Sequence, residues 1–130
     1  MEHTIKEGLQ RTSAKVVADE DTAARYGSGL VEVLATPAMI GLMENAAMSA
    51  VQPHLPPGCA TVGTAVCVTH VKATPVGMRV WGDATLVKVD GRRLLFEVAA
   101  RDEQGEIGRG THERCVVDTA KFMQKFGGVA

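Results

Sequence analysis

The sequence predicts an α+β fold in which one long central helix is wrapped by a curved antiparallel β-sheet. Two observations predict it. An apolar helical pattern over residues 36 to 52 gives way to a different period, and residues 61 to 118 then run as four segments rich in Val, Thr, Leu and Ile. A sheet built from those segments has one face to cover, and no other long apolar helix is available to cover it. At 130 residues the chain fits one domain, 1–130, with a real hydrophobic core.

Residues 9 to 18, LQRTSAKVVA, read as a first strand, and the polar stretch through Tyr26-Gly27-Ser28-Gly29 reads as a loop. The helix should open with Thr36 as N-cap and Pro37 at the first helical position, where a missing N–H costs nothing. It should stop near Gln52, because Pro53, Pro56, Pro57 and Gly58 cannot continue it. Strands follow at 61 to 73, 78 to 89, 93 to 102 and 106 to 118. Asp90-Gly91 is a two-residue hairpin signal, and Gln104-Gly105 serves a similar purpose, so the last three strands form a meander. The final KFMQKFGG suits a short amphipathic helix or a frayed tail.

Composition excludes several partners. Fifteen acidic against fourteen basic residues leave no electrostatic footprint for nucleic acid or an anionic membrane. The N-terminus MEHTIKEG lacks the apolar core of a signal peptide, and no apolar run approaches the roughly 20 residues needed to span a bilayer. A cytoplasmic protein is expected. Cys59, Cys67 and Cys115 are odd in number and lack metal-site spacing, so three free thiols are expected, with Cys67 and Cys115 as small buried hydrophobes.

Glu44 is the residue that asks for an explanation. With Pro37 set at zero, Asn45, Ser49 and Gln52 fall together at roughly 60 to 120° and make the wet flank. Glu44 falls at about 340°, near Ile40 and Met48, on the side that should be buried. A buried carboxylate needs a raised pKa, a hydrogen-bonded partner or a water-filled site. Pairing with an Arg or a backbone N–H at an interface is the structural alternative to a catalytic role.

The strand TVGTAVCVTH ends in His70, which closes the row Val62, Thr64, Val66, Val68. Strict alternation sets Gly63 on the other face, with Ala65, Cys67 and Thr69. His70 suits either a structural or a catalytic role, and Gly63 suits either relief of crowding or close approach of a ligand. In GRGTHER, residues 108 to 114, Arg109 and Arg114 point to opposite faces, so at most one meets a common ligand; solvated charges at a strand edge are the alternative. A phosphate loop, GxSxG, HExxH and a dinucleotide fingerprint are absent from the sequence.

Four runs in this order and spacing, EVLATPAMIGLME, VGTAVCVTH, ATPVG and GRGTHER, closely resemble the fluoroacetyl-CoA thioesterase type of hotdog-fold protein. The resemblance covers about residues 30 to 125. It implies a homodimer with paired sheets and acyl-CoA bound at the interface. It also implies a catalytic set of Thr36, Glu44 and His70, with Gly63 at the backbone position against the acyl carbonyl. Glu44 would act as base or nucleophile, aided by Thr36 and His70, with no metal or cofactor required. Leu30 and Val31 stand in the lid-like segment where the fluoroacetyl-specific branch would carry an aromatic residue, which points to a short-chain acyl-CoA more generally. Arg92, Arg93, Arg109 and Arg114 are the candidates to hold the CoA phosphates, since guanidinium suits phosphate oxygens. An enoyl-CoA hydratase and a non-catalytic acyl-CoA binding or sensing domain are the alternative functions.

Overall fold

A computed structural model describes residues 3–127. Five strands, β1 (Gln10–Val16), β2 (Cys59–His70), β3 (Arg79–Asp90), β4 (Arg93–Asp102) and β5 (Gly105–Asp118), form one antiparallel sheet in the order β1-β3-β4-β5-β2. The expected meander is β3-β4-β5. Its turns place Gly91 at φ 59° and Gly105 at φ 135°, backbone conformations that suit a residue without a Cβ.

The long helix is α2 (Thr36–Val51), and it packs on the concave face of the sheet, chiefly over β1 and β3. Met39, Met43 and Val51 are fully buried there with Leu86, Leu94 and Phe96 of β3 and β4. Each such side chain contributes about 2 kcal/mol by leaving water. Gly82 sets the closeness of the packing, because a Cβ there would lie 3.0 Å from the Leu42 backbone. The helix therefore rides on the strand itself.

Four sequence expectations are corrected. Thr36 is the first helical residue rather than the N-cap; Ala35 is the cap residue and no side chain caps the helix. The polar stretch expected as loop holds a 3-10 turn, Asp19–Asp21, and a short helix α1 (Ala23–Tyr26), because Thr22 caps α1 by accepting from the Arg25 N–H. The strand expected at 61 to 73 runs from Cys59 to His70, since the chain leaves the sheet before Pro75. Cys67 is exposed rather than buried, because β2 is an edge strand. All three cysteines are free, as expected.

After β5 the chain forms α3 (Thr119–Gln124), the helical form of the two expected for this segment. Among the described residues no helix is long and apolar enough to cross a membrane. Among the described residues the 12-residue edge presented by β2 has no strand beyond it, and its inward-facing Val66 is still 41% exposed.

Candidate active site

The site depends on one irregularity in β2. Gly63 pairs with Arg114 and Ala65 with Glu113, so Thr64 is an extra residue in the ladder. Strict alternation would separate Gly63 from His70, seven residues on. The bulge reverses the alternation at Thr64 and brings Thr61, Gly63 and His70 onto the concave face beneath α2. Thr64 itself donates to Glu113 Oε2 at 2.6 Å on the outside, and Arg93 donates to the same carboxylate at 2.7 Å.

At one end of α2, the Thr36 hydroxyl and His70 Nδ1 share a hydrogen bond of 2.8 Å. As the first helical residue, Thr36 is free to turn its hydroxyl toward the strand. Burial pushes the His70 pKa below its ordinary 6.5, with the Lys72 backbone opposing, so the imidazole is neutral at pH 7. Its Nε2 is buried without a protein partner. Beside this pair lies a cavity of about 420 Å³, lined in part by Leu30, Val31, Val33 and Val71. Leu30 is 95% exposed at its mouth.

The second group lies further along the helix. A Cβ on Gly63 would sit 3.1 Å from Glu44 Oε2, 3.3 Å from His112 and 3.5 Å from Arg114 Nη1. The glycine is what admits the half-buried carboxylate to the strand. Arg114 donates from Nε to the Thr61 hydroxyl at 2.8 Å and from Nη2 to the Thr61 carbonyl at 3.0 Å. His112 Nδ1 lies 2.8 Å from the Ala65 carbonyl, which can only accept, so Nδ1 carries the proton and Nε2 accepts from Arg114 Nη1 at 3.1 Å. Burial lowers the pKa of His112 and that of Arg114, while the nearby Glu44 raises both. Arg114 remains a cation and His112 a neutral acceptor.

One chain therefore brings together Thr36 with His70, and separately Glu44 with Gly63. Eight helical residues, about 12 Å, separate Thr36 from Glu44. The four arginines are dispersed. Arg114 lies inside the concave site, whereas Arg93 and Arg109 point outward and are engaged by Glu113 and Glu106, each at 2.7 Å. Arg92 lines a groove at the far end of the sheet. A groove of about 420 Å³ on the convex face, between Asp83 and Arg109, holds none of the concave groups. His112 and Thr61 were not singled out from the sequence. The two-residue spacing of His112 and Arg114 was the available signal, since it sets both on the face of Gly108 and Gly110.

A family model described as fluoroacetyl-CoA-specific thioesterase matches residues 17–120. The fluoroacetyl-CoA thioesterase of Streptantibioticus cattleyicolor is 52% identical over 94 residues, 72% of this chain and 68% of that protein. A solved structure of the fluoroacetyl-CoA thioesterase FlK superposes with a TM-score of 0.89 at 41% identity, covering 98% of each chain. A hot-dog-like protein from Thermanaerovibrio acidaminovorans gives 0.84 at 27% identity, over 93% of this chain and 90% of that one. The helix wrapped by a five-stranded sheet is thus a hotdog fold. With a match over most of its length and that degree of identity, the chain belongs to the fluoroacetyl-CoA-specific thioesterase family.

Proposed function

We propose that this chain hydrolyses a short-chain acyl-CoA thioester as a homodimer, at a site combining Thr36 and His70 of one subunit with Glu44 and Gly63 of the other. The observation that carries the reading is the Thr36–His70 bond, a hydroxyl on a neutral imidazole beside an apolar cavity. The open edge of β2 supports the dimer. An antiparallel two-fold pairing of β2 with its copy would cover that edge and set His70 of one subunit near Gly63 of the other. Three free thiols and a thioester substrate suit a reducing cytoplasmic setting.

Two routes use these groups. In one, Glu44 takes a proton from water as that water attacks the acyl carbon, or attacks the carbon itself to give an acyl-glutamate anhydride that water then hydrolyses; in either case the C–S bond breaks and the thiolate takes up, by way of His70, the proton that water gives up. In the other, the Thr36 hydroxyl gives its proton to His70 and attacks the carbonyl carbon. The C–S bond then breaks, the leaving thiolate takes the proton from His70, and water hydrolyses the acyl-threonine ester to release the acid and restore the hydroxyl. The 2.8 Å contact favours the second. In both, negative charge builds on the carbonyl oxygen, where a backbone N–H such as that of Gly63 would supply about 3 kcal/mol. The aliphatic Leu30 and Val31 at the cavity mouth suit a small unbranched acyl group.

Free-thiol release from a panel of short acyl-CoAs tests the reading. Glu44→Gln, which keeps size while removing the charge, should lower kcat at least about 100-fold in a folded protein. Absorbance change with crotonyl-CoA and no thiol release would instead mark a hydratase. Binding without turnover would mark a sensing domain.

A further inference from the structure

Arg114 is buried on the concave face near Glu44, yet the carboxylate does not hold it. Among the described residues the two form no ion pair. The guanidinium is bonded instead to neutral groups, the Thr61 hydroxyl and carbonyl along one edge and His112 Nε2, 3.1 Å from Nη1, on the other. We propose that His112 is a positioning residue for hydrolysis, a neutral imidazole that keeps Arg114 Nη1 beside Gly63 and Glu44 with its charge uncompensated. The inference rests on the thioesterase reading above and assigns a role to a buried histidine that neither of its routes uses.

The chemistry of residue 112 favours it. With Nδ1 donating to the Ala65 carbonyl at 2.8 Å, only Nε2 of a neutral ring can accept, and that is the atom Arg114 meets. A carboxylate at this position would bond the guanidinium more strongly but would cancel its charge. A cationic side chain could not accept at all. The ring is itself fixed: His112 is fully buried and stacks on Phe96 of β4, with centroids 6.3 Å apart and planes 28° apart. Because the guanidinium is a rigid planar fork, Thr61 on Nε and Nη2 together with His112 on Nη1 sets its plane.

Position favours it as well. Glu44 Oε2 and Arg114 Nη1 lie 3.1 and 3.5 Å from one point, the place a Cβ on Gly63 would take, and His112 Cε1 lies 3.3 Å from it. The Gly63 N–H is the proposed donor to the thioester carbonyl. A cation fixed there faces both the carboxylate and the charge that grows on the carbonyl oxygen, and it needs no reorganisation at the moment of attack. His112 also touches β2, since Ala65 is the first residue after the bulge at Thr64. Holding that bulge in place is the purely structural alternative, and the two nitrogens of the ring separate the two roles.

The test compares His112→Asn with His112→Gln. An Asn amide reaches as far as Nδ1 and can still donate to Ala65, whereas a Gln amide reaches as far as Nε2 and can still accept from Arg114. His112→Asn should lower kcat and kcat/KM together by about tenfold or more, as expected for a misplaced group that acts in the transition state. His112→Gln should recover most of that loss. In an Arg114→Gln background the His112→Asn change should have no further effect, because the group it acts through is gone. Wild-type turnover in His112→Asn with impaired His112→Gln would mark the bulge-holding role and overturn the proposal, as would an undiminished loss in the Arg114→Gln background. Nitrogen NMR gives a readout without turnover. In the unmodified protein at pH 7 the His112 proton should be on Nδ1 and the Arg114 Nη1 signal should show hindered rotation; a proton on Nε2, or a freely rotating Nη1, overturns the proposal even if the variants fail to fold. Absence of thiol release from every acyl-CoA would overturn the thioesterase reading alone, and hindered rotation that is lost in His112→Asn but kept in His112→Gln would still support the positioning.

Discussion

Thr36 is the residue at which structure and sequence disagree most usefully. Read as an N-cap, it would cost about 1 kcal/mol or more on removal. Its hydroxyl instead faces His70, while Ala35 holds the cap position with no side-chain bond to lose. Thr36→Ala should therefore leave the melting temperature within about 2 °C of wild type, as for other exposed sites away from a cap. It should lower kcat about 100-fold or more. A normal kcat with a lowered melting temperature would restore the capping role. His70 supplies a second check. Burial holds its pKa below 6.5, so the imidazole becomes protonated only as the pH falls below that value. The acid limb of kcat/KM should have its midpoint below 6.5, and a midpoint at or above 6.5 would show that the imidazole is not the titrating base.

At the scale of elements, β2 is held where it leaves the sheet. Lys72 Nζ contacts both oxygens of Asp102, at 3.0 and 2.9 Å, and the Thr74 hydroxyl and Gln104 N–H donate to the same carboxylate at 2.9 and 2.8 Å. This fixes the two residues after His70 against the β4–β5 corner. Burial alone would push the Asp102 pKa up, but the Lys72, Gln104 and Thr74 contacts outweigh it and hold the pKa below 3.8. The stabilisation is complete above the unfolded-chain value and is lost as pH falls through the lower native one. Asp102→Asn should cost about 1 to 2 kcal/mol near neutral pH, because it removes the charged acceptor from these contacts while Lys72, whose side chain is 35% exposed, can return to water. It should also flatten the acid side of the stability profile in urea melts at several pH values. A variant as stable as wild type at pH 7 would remove the clamp from the account. The clamp was not legible in the sequence, because Lys72, Thr74 and Asp102 meet across 28 or more residues. The helix and the meander were, since Pro37, the Pro-rich stop, Asp90-Gly91 and Gln104-Gly105 are local signals. Glu44 was legible as an acid off the polar stripe. The common face of Gly63 and His70 was hidden, because a bulge at Thr64 is set by the register against β5 and leaves no mark on alternation.

At the scale of the whole molecule, the separation of the two groups along α2 makes the dimer a chemical requirement of the proposal. Thr36 lies about 12 Å along the helix from Glu44, so a single chain offers a hydroxyl–imidazole pair with His70 at one place and a carboxylate with its glycine at another. Pairing the open edges of β2 about a two-fold axis, as proposed, would bring the groups together twice, once at each end. This arrangement predicts the outcome of mixing two inactive proteins. Glu44→Gln and His70→Ala homodimers each lack one component at both sites. After subunit exchange, a mixed dimer has one site with both changes and one with neither, so its second site is wild type. With random exchange of equal amounts, half of the dimers are mixed and each has one of two sites restored, giving about a quarter of wild-type thiol release. A site contained within one chain would remain inactive in every combination. Light scattering during the exchange supplies the companion measurement, since a monomeric mass at micromolar concentration would contradict a shared site, and recovery of activity in a population of dimeric mass would establish it.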